Sequence, residues 1–168
     1  DALPVKIVFN CDEEIGSPDS RPLIEDMMRG AEAVLVFEGK RAKDNAVVTS
    51  RKGIIMGSMT VTGKASHAGK ISGGEVANQI PDHCESTIDI RFRTAEDETA
   101  VQDAVQRIME RNHVPGCTTT YELHTARPAF EKSPASHQLL EQYQQAAAAF
   151  GATVGEKSAG GGSDGNLT

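Results

Sequence analysis

Asp12, Glu13 and Glu14 are three carboxylates in a row, and they stand where an apolar run should end. Pro4-Val5-Lys6-Ile7-Val8-Phe9 is short and rich in β-branched residues, which predicts a buried strand, and Gly16, Ser17 and Pro18 break the chain just beyond the acids. In an open α/β sheet the carboxyl ends of strands are where ligands collect. Like charges packed there cost free energy unless cations lie among them. Two neighbouring carboxylates at such an edge can divide labour. One ligates a divalent metal, while the other takes a proton from metal-bound water, whose pKa the ion lowers to about 7. The plain alternative is a solvated acidic turn.

Three further features could share that chemistry. Ala33-Val34-Leu35-Val36-Phe37 predicts a second strand, closed by Glu38-Gly39. Between the two strands, residues 17–30 predict a helix, because Leu23, Ile24, Met27 and Met28 recur at helical spacing and Gly30 marks an end. Strand, helix, strand is a βαβ unit with parallel neighbours, so Glu38 is expected at the same sheet edge as Glu13 and Glu14. His67 stands among small residues in Lys64-Ala65-Ser66-His67-Ala68-Gly69 and is read as a loop imidazole open to solvent or ligand. Gly160-Gly161-Gly162 let backbone N–H groups converge on an anion such as a carboxylate, against the alternative of a flexible tail.

The elements that must position these residues fall into two styles. Residues 47–63 alternate, with Ile55, Gly57, Met59 and Val61 on one side and Met56, Ser58, Thr60 and Thr62 on the other. That pattern predicts a half-exposed strand of an antiparallel sheet, in a domain different from the first. Ile88, Ile90 and Phe92 alternate with Asp89, Arg91 and Arg93, and residues 117–124 predict one more such strand. Between them Thr94 caps a helix over 96–112 with Val101, Ala104, Val105 and Ile108 as its buried stripe. One helix against several alternating strands suggests a small ferredoxin-like α+β layer. The last helix is expected over 136–150, closed by Gly151.

Bulk properties narrow the classes. The chain has 168 residues, enough for one ordinary domain or two small ones, and a net charge of -7 that argues against nucleic acid or an anionic membrane as partner. No run approaches the roughly 20 apolar residues of a membrane span. Residues 1–4 have neither the basic nor the apolar region of a secretory signal, so a cytoplasmic location is expected, with periplasm or secretion left open. Cys11, Cys84 and Cys117 are an odd number without C-x-x-C spacing, and are read as reduced and mostly packing residues.

Taken in order, "FNCDEEIGS", "VLVFEG", "TGKASHAG", "NQIPDHCESTIDIRFR", "RPAF" and "GGGSDGN" resemble the two-metal aminoacylase, acetylornithine deacetylase, succinyl-diaminopimelate desuccinylase and glutamate carboxypeptidase family over nearly the whole chain. "RPAF" resembles the glutamate carboxypeptidase branch most. The resemblance implies an α/β fold. A partial zinc-exopeptidase-like (phosphorylase/hydrolase-like) catalytic domain, residues 1–52 and 126–168, would hold an inserted and also partial ferredoxin-like lid and dimerisation domain, residues 53–125. It further implies Glu13 as general base, Glu14 and Glu38 as ligands of the two zinc ions (Co or Mn being alternatives), and His67 as support for the oxyanion in the partner subunit's active site. Asn78, Arg127 and the Gly160, Gly161, Gly162 run match positions that hold the substrate or its carboxylate, Arg127 with a bidentate grip.

The family's first His and bridging Asp lie upstream of its acidic turn, its final His lies beyond the glycine loop, and a longer segment separates "SHAG" from "NQIPD". The 168 residues are therefore expected to be a fragment that holds metal poorly and is inactive, from a parent that is an enzyme. The expected reaction is hydrolysis of an amide next to a free carboxylate, on a peptide or small molecule ending in a glutamate-type residue, by a homodimer joined through the lid. Lid movement would hinge near Lys52 and Ala126. The alternatives are N-acyl amino acid deacylation or desuccinylation within the same family, and a metal-free binding or dimerisation module.

Overall fold

The computed structural model describes residues 4–39, 45–64, 66–67, 79–111 and 114–168, through the backbone alone at 66, 67, 79 and 80. In chain order the elements are a 3-10 turn at Glu13–Ile15, α1 (Arg21–Met28), β1 (Ala46–Arg51), β2 (Gly53–Thr62), β3 (Ser66–His67) and β4 (Gln79–Ile80). They continue with β5 (His83–Phe92), α2 (Ala95–Met109), β6 (Thr118–Arg127), α3 (Pro134–Ala149), β7 (Gly155–Ala159) and a second 3-10 turn at Asp164–Leu167. Among the described residues no helix is long and apolar enough to cross a membrane. The chain divides into two compact units: Asp1–Ile54 with Phe92–Ala95 and Arg127–Thr168, and Ile55–Arg91 with Glu96–Ala126.

The first unit is built on the parallel pair β1 and β7, in register from Ala46 opposite Gly155 to Arg51 opposite Ala159, with an irregularity between Val48 and Ser50. Helix α3 lies against β1, and α1 lies against the 3-10 turn Asp164–Leu167. Ser133 starts α3 as a mutual cap: its side chain accepts from the Ser136 N–H, its own N–H donates to Ser136 Oγ, and Pro134 fills the first helical position. Ile24, Leu140 and Phe92 supply the buried apolar side chains of this unit. Arg51 and Phe130 exchange both backbone hydrogen bonds, at 2.9 and 3.0 Å, so the chain just after β6 is tied to the end of β1.

Two expected strands are absent from this unit. Residues 4–9 and 33–37 are irregular and join no ladder, and they are open to solvent, with Val5 79%, Phe9 91% and Phe37 90% exposed. The βαβ unit predicted from them is therefore not formed: apolar β-branched runs become strands only when neighbouring strands satisfy their N–H and C=O groups. The intervening helix is also shorter than 17–30, because Ser17 takes a left-handed conformation, φ 56°, and Pro22 sits in the first turn. Gly30 follows it with φ 75°, a backbone shape that suits a residue without Cβ.

In the second unit the sheet has the order β5-β2-β6, which puts β2 in the middle. The alternation read from β2 holds where burial is sharpest: Ile55 and Gly57 are buried and Met56 is exposed. A Cβ on Gly57 would lie 2.6 Å from the carbonyl oxygen of Glu122 and 2.7 Å from the Tyr121 ring, so only glycine lets β2 and β6 come this close. Helix α2 has no fully buried residue, and Ile108 of its expected stripe is 54% exposed. His67 is not in a free loop. Its backbone belongs to β3, which pairs antiparallel with β4, Ser66 opposite Ile80 and His67 opposite Gln79. Cys11 and Cys84 are exposed thiols rather than packing residues.

Candidate functional site

The acidic turn is held from both ends. Asp12 is its anchor: one carboxylate oxygen accepts the backbone N–H groups of Asp19 and Ser20 at 2.9 and 3.0 Å, and the other accepts the Ser20 hydroxyl. The Ser20 hydroxyl, with the backbone donors, keeps the Asp12 carboxyl below the usual range against the opposing effect of burial. Asp12 O accepts from Ile15 N and Ser17 N, and Gly16 and Ser17 both have positive φ, 99° and 56°. A left-handed serine is uncommon, and this one is fully buried, 0% exposed, so its surroundings must fix it.

Those surroundings are a polar cluster within the first unit. Asp164 accepts the Ser17 hydroxyl on Oδ1 and the Asn10 amide on Oδ2. The Arg127 Nη1 lies 3.4 Å from Asp164 Oδ1 and 3.4 Å from Glu13 Oε1, while Nη2 donates to Glu13 O at 3.0 Å and to Ser17 Oγ at 3.1 Å. Arg127 is 5% exposed and Asp164 8%. No buried side-chain polar atom among the described residues lacks a partner.

Glu13 therefore sits half-buried above a filled cluster. Burial pushes its carboxyl up, the Arg127 guanidinium opposes this, and the charges of Glu38, Asp164 and Glu14 push it further up. A carboxylate raised by burial and like charge takes a proton at higher pH than a free one, which suits a general base. Glu38 faces Arg51, Nη2 to Oε2 at 2.8 Å, and the same guanidinium donates through Nη1 to Gly161 O at 3.2 Å. Arg51 thus connects the second acidic position to the glycine run.

The glycine run is no flexible tail. Residues 163–166 are buried; Ser163 Oγ accepts the Gly165 N–H, and Asn166 Oδ1 accepts the Ser163 N–H. The Asn166 amide donates to Lys52 O and Pro128 O at 3.0 and 2.7 Å. Gly162 is close-packed, since a Cβ there would meet Ile54 at 2.9 Å and Arg127 at 3.4 Å.

Of the residues singled out in the sequence, Glu13 and Arg127 are in contact, Glu14 and Glu38 are near enough to act on the Glu13 charge, and Gly161 is joined to Glu38 through Arg51. Asn78 lies outside the described residues, and for His67 only the backbone is described. Arg127, read as a grip on a substrate carboxylate, has both Nη atoms turned to acceptors of its own chain. Among the described residues no three His, Cys, Asp or Glu side chains converge closely enough to hold a metal ion. Zinc sites take three or four protein ligands, so the described side chains do not by themselves fit one. Sequence reasoning passed over Ser17, Arg51 and Asp164. The signal for Asp164 was present in Ser163-x-x-Asn166, a capping pattern that predicts an ordered turn rather than a tail.

Comparison with known proteins shows what the chain is similar to. The model of a peptidase dimerisation domain matches residues 68–117. Carboxypeptidase G2 of Pseudomonas sp. (strain RS-16) is 26% identical over 196 residues, which cover 95% of this chain and 47% of that protein. The chain thus spans about half the length of the curated relative it matches. Among solved structures, aminopeptidase PepT from Bacillus cereus shares the fold with a TM-score of 0.62 at 20% identity, over 76% of this chain and 43% of that one. A hydantoinase/carbamoylase family amidase from Burkholderia phymatum gives a TM-score of 0.52 at 16% identity, over 79% of this chain and 43% of that one. With the six ordered motifs, these matches make the chain similar to the aminoacylase, desuccinylase and glutamate carboxypeptidase family, and to its glutamate carboxypeptidase branch.

Proposed function

We propose that this chain is part of a metal-dependent hydrolase that cleaves an amide bond next to a free carboxylate, with Glu13 as general base. The observation that supports the reading most is the setting of Glu13, a half-buried carboxyl pushed up by burial and by the neighbouring acids Glu38, Asp164 and Glu14. In the reaction, Glu13 takes a proton from the attacking water as its oxygen bonds to the carbonyl carbon. It then delivers that proton to the leaving nitrogen as the C–N bond breaks, which leaves a carboxylate and a free amine. His67 supports the oxyanion formed between these steps, and Asn78 with Gly160, Gly161 and Gly162 receives the carboxylate beside the scissile bond. Metal dependence belongs to the whole protein: Glu14 and Glu38 are the donors this chain brings, and a complete zinc set needs further ones.

The need for a free carboxylate beside the scissile amide is tested on the full-length protein with paired substrates. An N-acyl glutamate should be hydrolysed, whereas the same compound with its α-carboxylate converted to a carboxamide should not. Equal cleavage of both would remove the carboxylate from the reading. A second reading, a metal-free binding or dimerisation module on the same scaffold, is favoured by the pairing of Glu38 with Arg51 and the absence of a three-donor cluster among the described residues. Titration of the full-length protein with zinc separates the two, since the module should take up none.

A further inference from the structure

We propose that Arg127 and Asp164 are positioning residues: together they hold the left-handed turn at Ser17 and thereby fix the Glu13 carboxylate, and Arg127 does not bind substrate. The proposal deepens the reading of Glu13 as general base and rests on it. Its ground is the direction of the bonds. Both Nη atoms of Arg127 face acceptors of its own chain, two on Glu13 (O at 3.0 Å, Oε1 at 3.4 Å), one on Ser17 (Oγ at 3.1 Å) and one on Asp164 (Oδ1 at 3.4 Å). Arg127, 5% exposed, cannot present its fork to a ligand without giving up those acceptors.

Asp164 completes the arrangement from the other side. Its two oxygens accept from Ser17 and Asn10, residues on either flank of the acids, so one carboxylate closes the turn across its base. Gly16 and Ser17 have φ of 99° and 56°, and the serine is wholly buried, so the turn keeps a shape its own backbone does not favour. Remove Arg127, and Asp164 is left buried without its counter-charge; remove the Asp164 charge, and Arg127 keeps only Glu13 while Ser17 and Asn10 lose their acceptor. Glu13, held by Arg127 through its backbone carbonyl at 3.0 Å and its carboxylate at 3.4 Å, then loses its fixed place.

The test uses the full-length protein, with Arg127→Lys, Asp164→Asn and the milder Ser17→Ala, which deletes one hydroxyl and leaves the ion pair. Two readouts are taken: amide hydrogen exchange over residues 10–21, and kcat and KM on an N-acyl glutamate. The expected result is faster exchange in that segment for all three variants. For Arg127→Lys, kcat should fall by about a hundredfold, the scale of a misplaced catalytic group, with KM little changed. A raised KM with kcat kept would make Arg127 a substrate clamp and overturn the proposal, as would unchanged exchange in all three variants. If the unsubstituted protein hydrolyses nothing, the functional reading fails while the exchange measurement still decides whether the two residues hold the turn.

Discussion

At the residue scale the candidate site depends on how a run of acids is kept in one place. The Asp12 carboxylate is hydrogen-bonded by donors of the following helix start, and Glu13 is braced from below by Arg127, so only part of the acidic charge faces solvent. The three acids were legible in the sequence as a chemical feature. Their bracing was not, because it comes from residues 127 and 164, and no local pattern links positions more than a hundred residues from the turn. Glycines give a direct check of this packing. At Gly53 a Cβ would meet the Phe92 ring at 2.1 Å and Ala129 N at 2.8 Å, whereas at Gly160 it would meet nothing within 4 Å. Urea unfolding should therefore show Gly53→Ala destabilised by about 1–3 kcal/mol, as overpacking predicts. Gly160→Ala should stay within about 0.5 kcal/mol of the parent chain.

At the element scale, local rules read helices better than strands. The last helix was expected over 136–150 and runs Pro134–Ala149, because a capping serine, a proline and a closing glycine are all local signals. Residues 4–9 and 33–37 have strand composition, yet no ladder forms, since strand pairing depends on partners that composition does not specify. Removal of the α3 cap by Ser133→Ala should cost about 0.5–2 kcal/mol in the same unfolding measurement. The parallel pair β1 and β7 brings Glu156 to the Thr49 hydroxyl and to Lys132, 2.6 Å from its Nζ. The hydrogen bond from Lys132, then that from Thr49, lowers the Glu156 pKa below 4.5. A depressed folded-state pKa gives stability that is present above 4.5 and is lost as pH falls through the folded value. Stability measured from pH 6 downward should thus fall less steeply below that point in Glu156→Gln than in the parent chain.

At the scale of the whole molecule, the two compact units differ in what they contribute. The first carries Glu13, Glu14, Glu38, Arg127 and the glycine run; the second carries His67 and most of residues 68–117, which match the dimerisation-domain model. The family resemblance was legible from six short motifs in order, although no single one is specific. Substrate and assembly follow less directly, since the chain covers 47% of its curated relative. The full-length protein should sediment as a dimer, and deletion of residues 55–126 should leave it monomeric.

The central claim is that Glu13 moves the proton and does not hold the metal. In the full-length protein, Glu13→Ala should abolish hydrolysis of an N-acyl glutamate while the bound zinc, measured by elemental analysis, stays near the unsubstituted level. Loss of zinc in parallel with activity would place Glu13 in the ligand set and contradict the account.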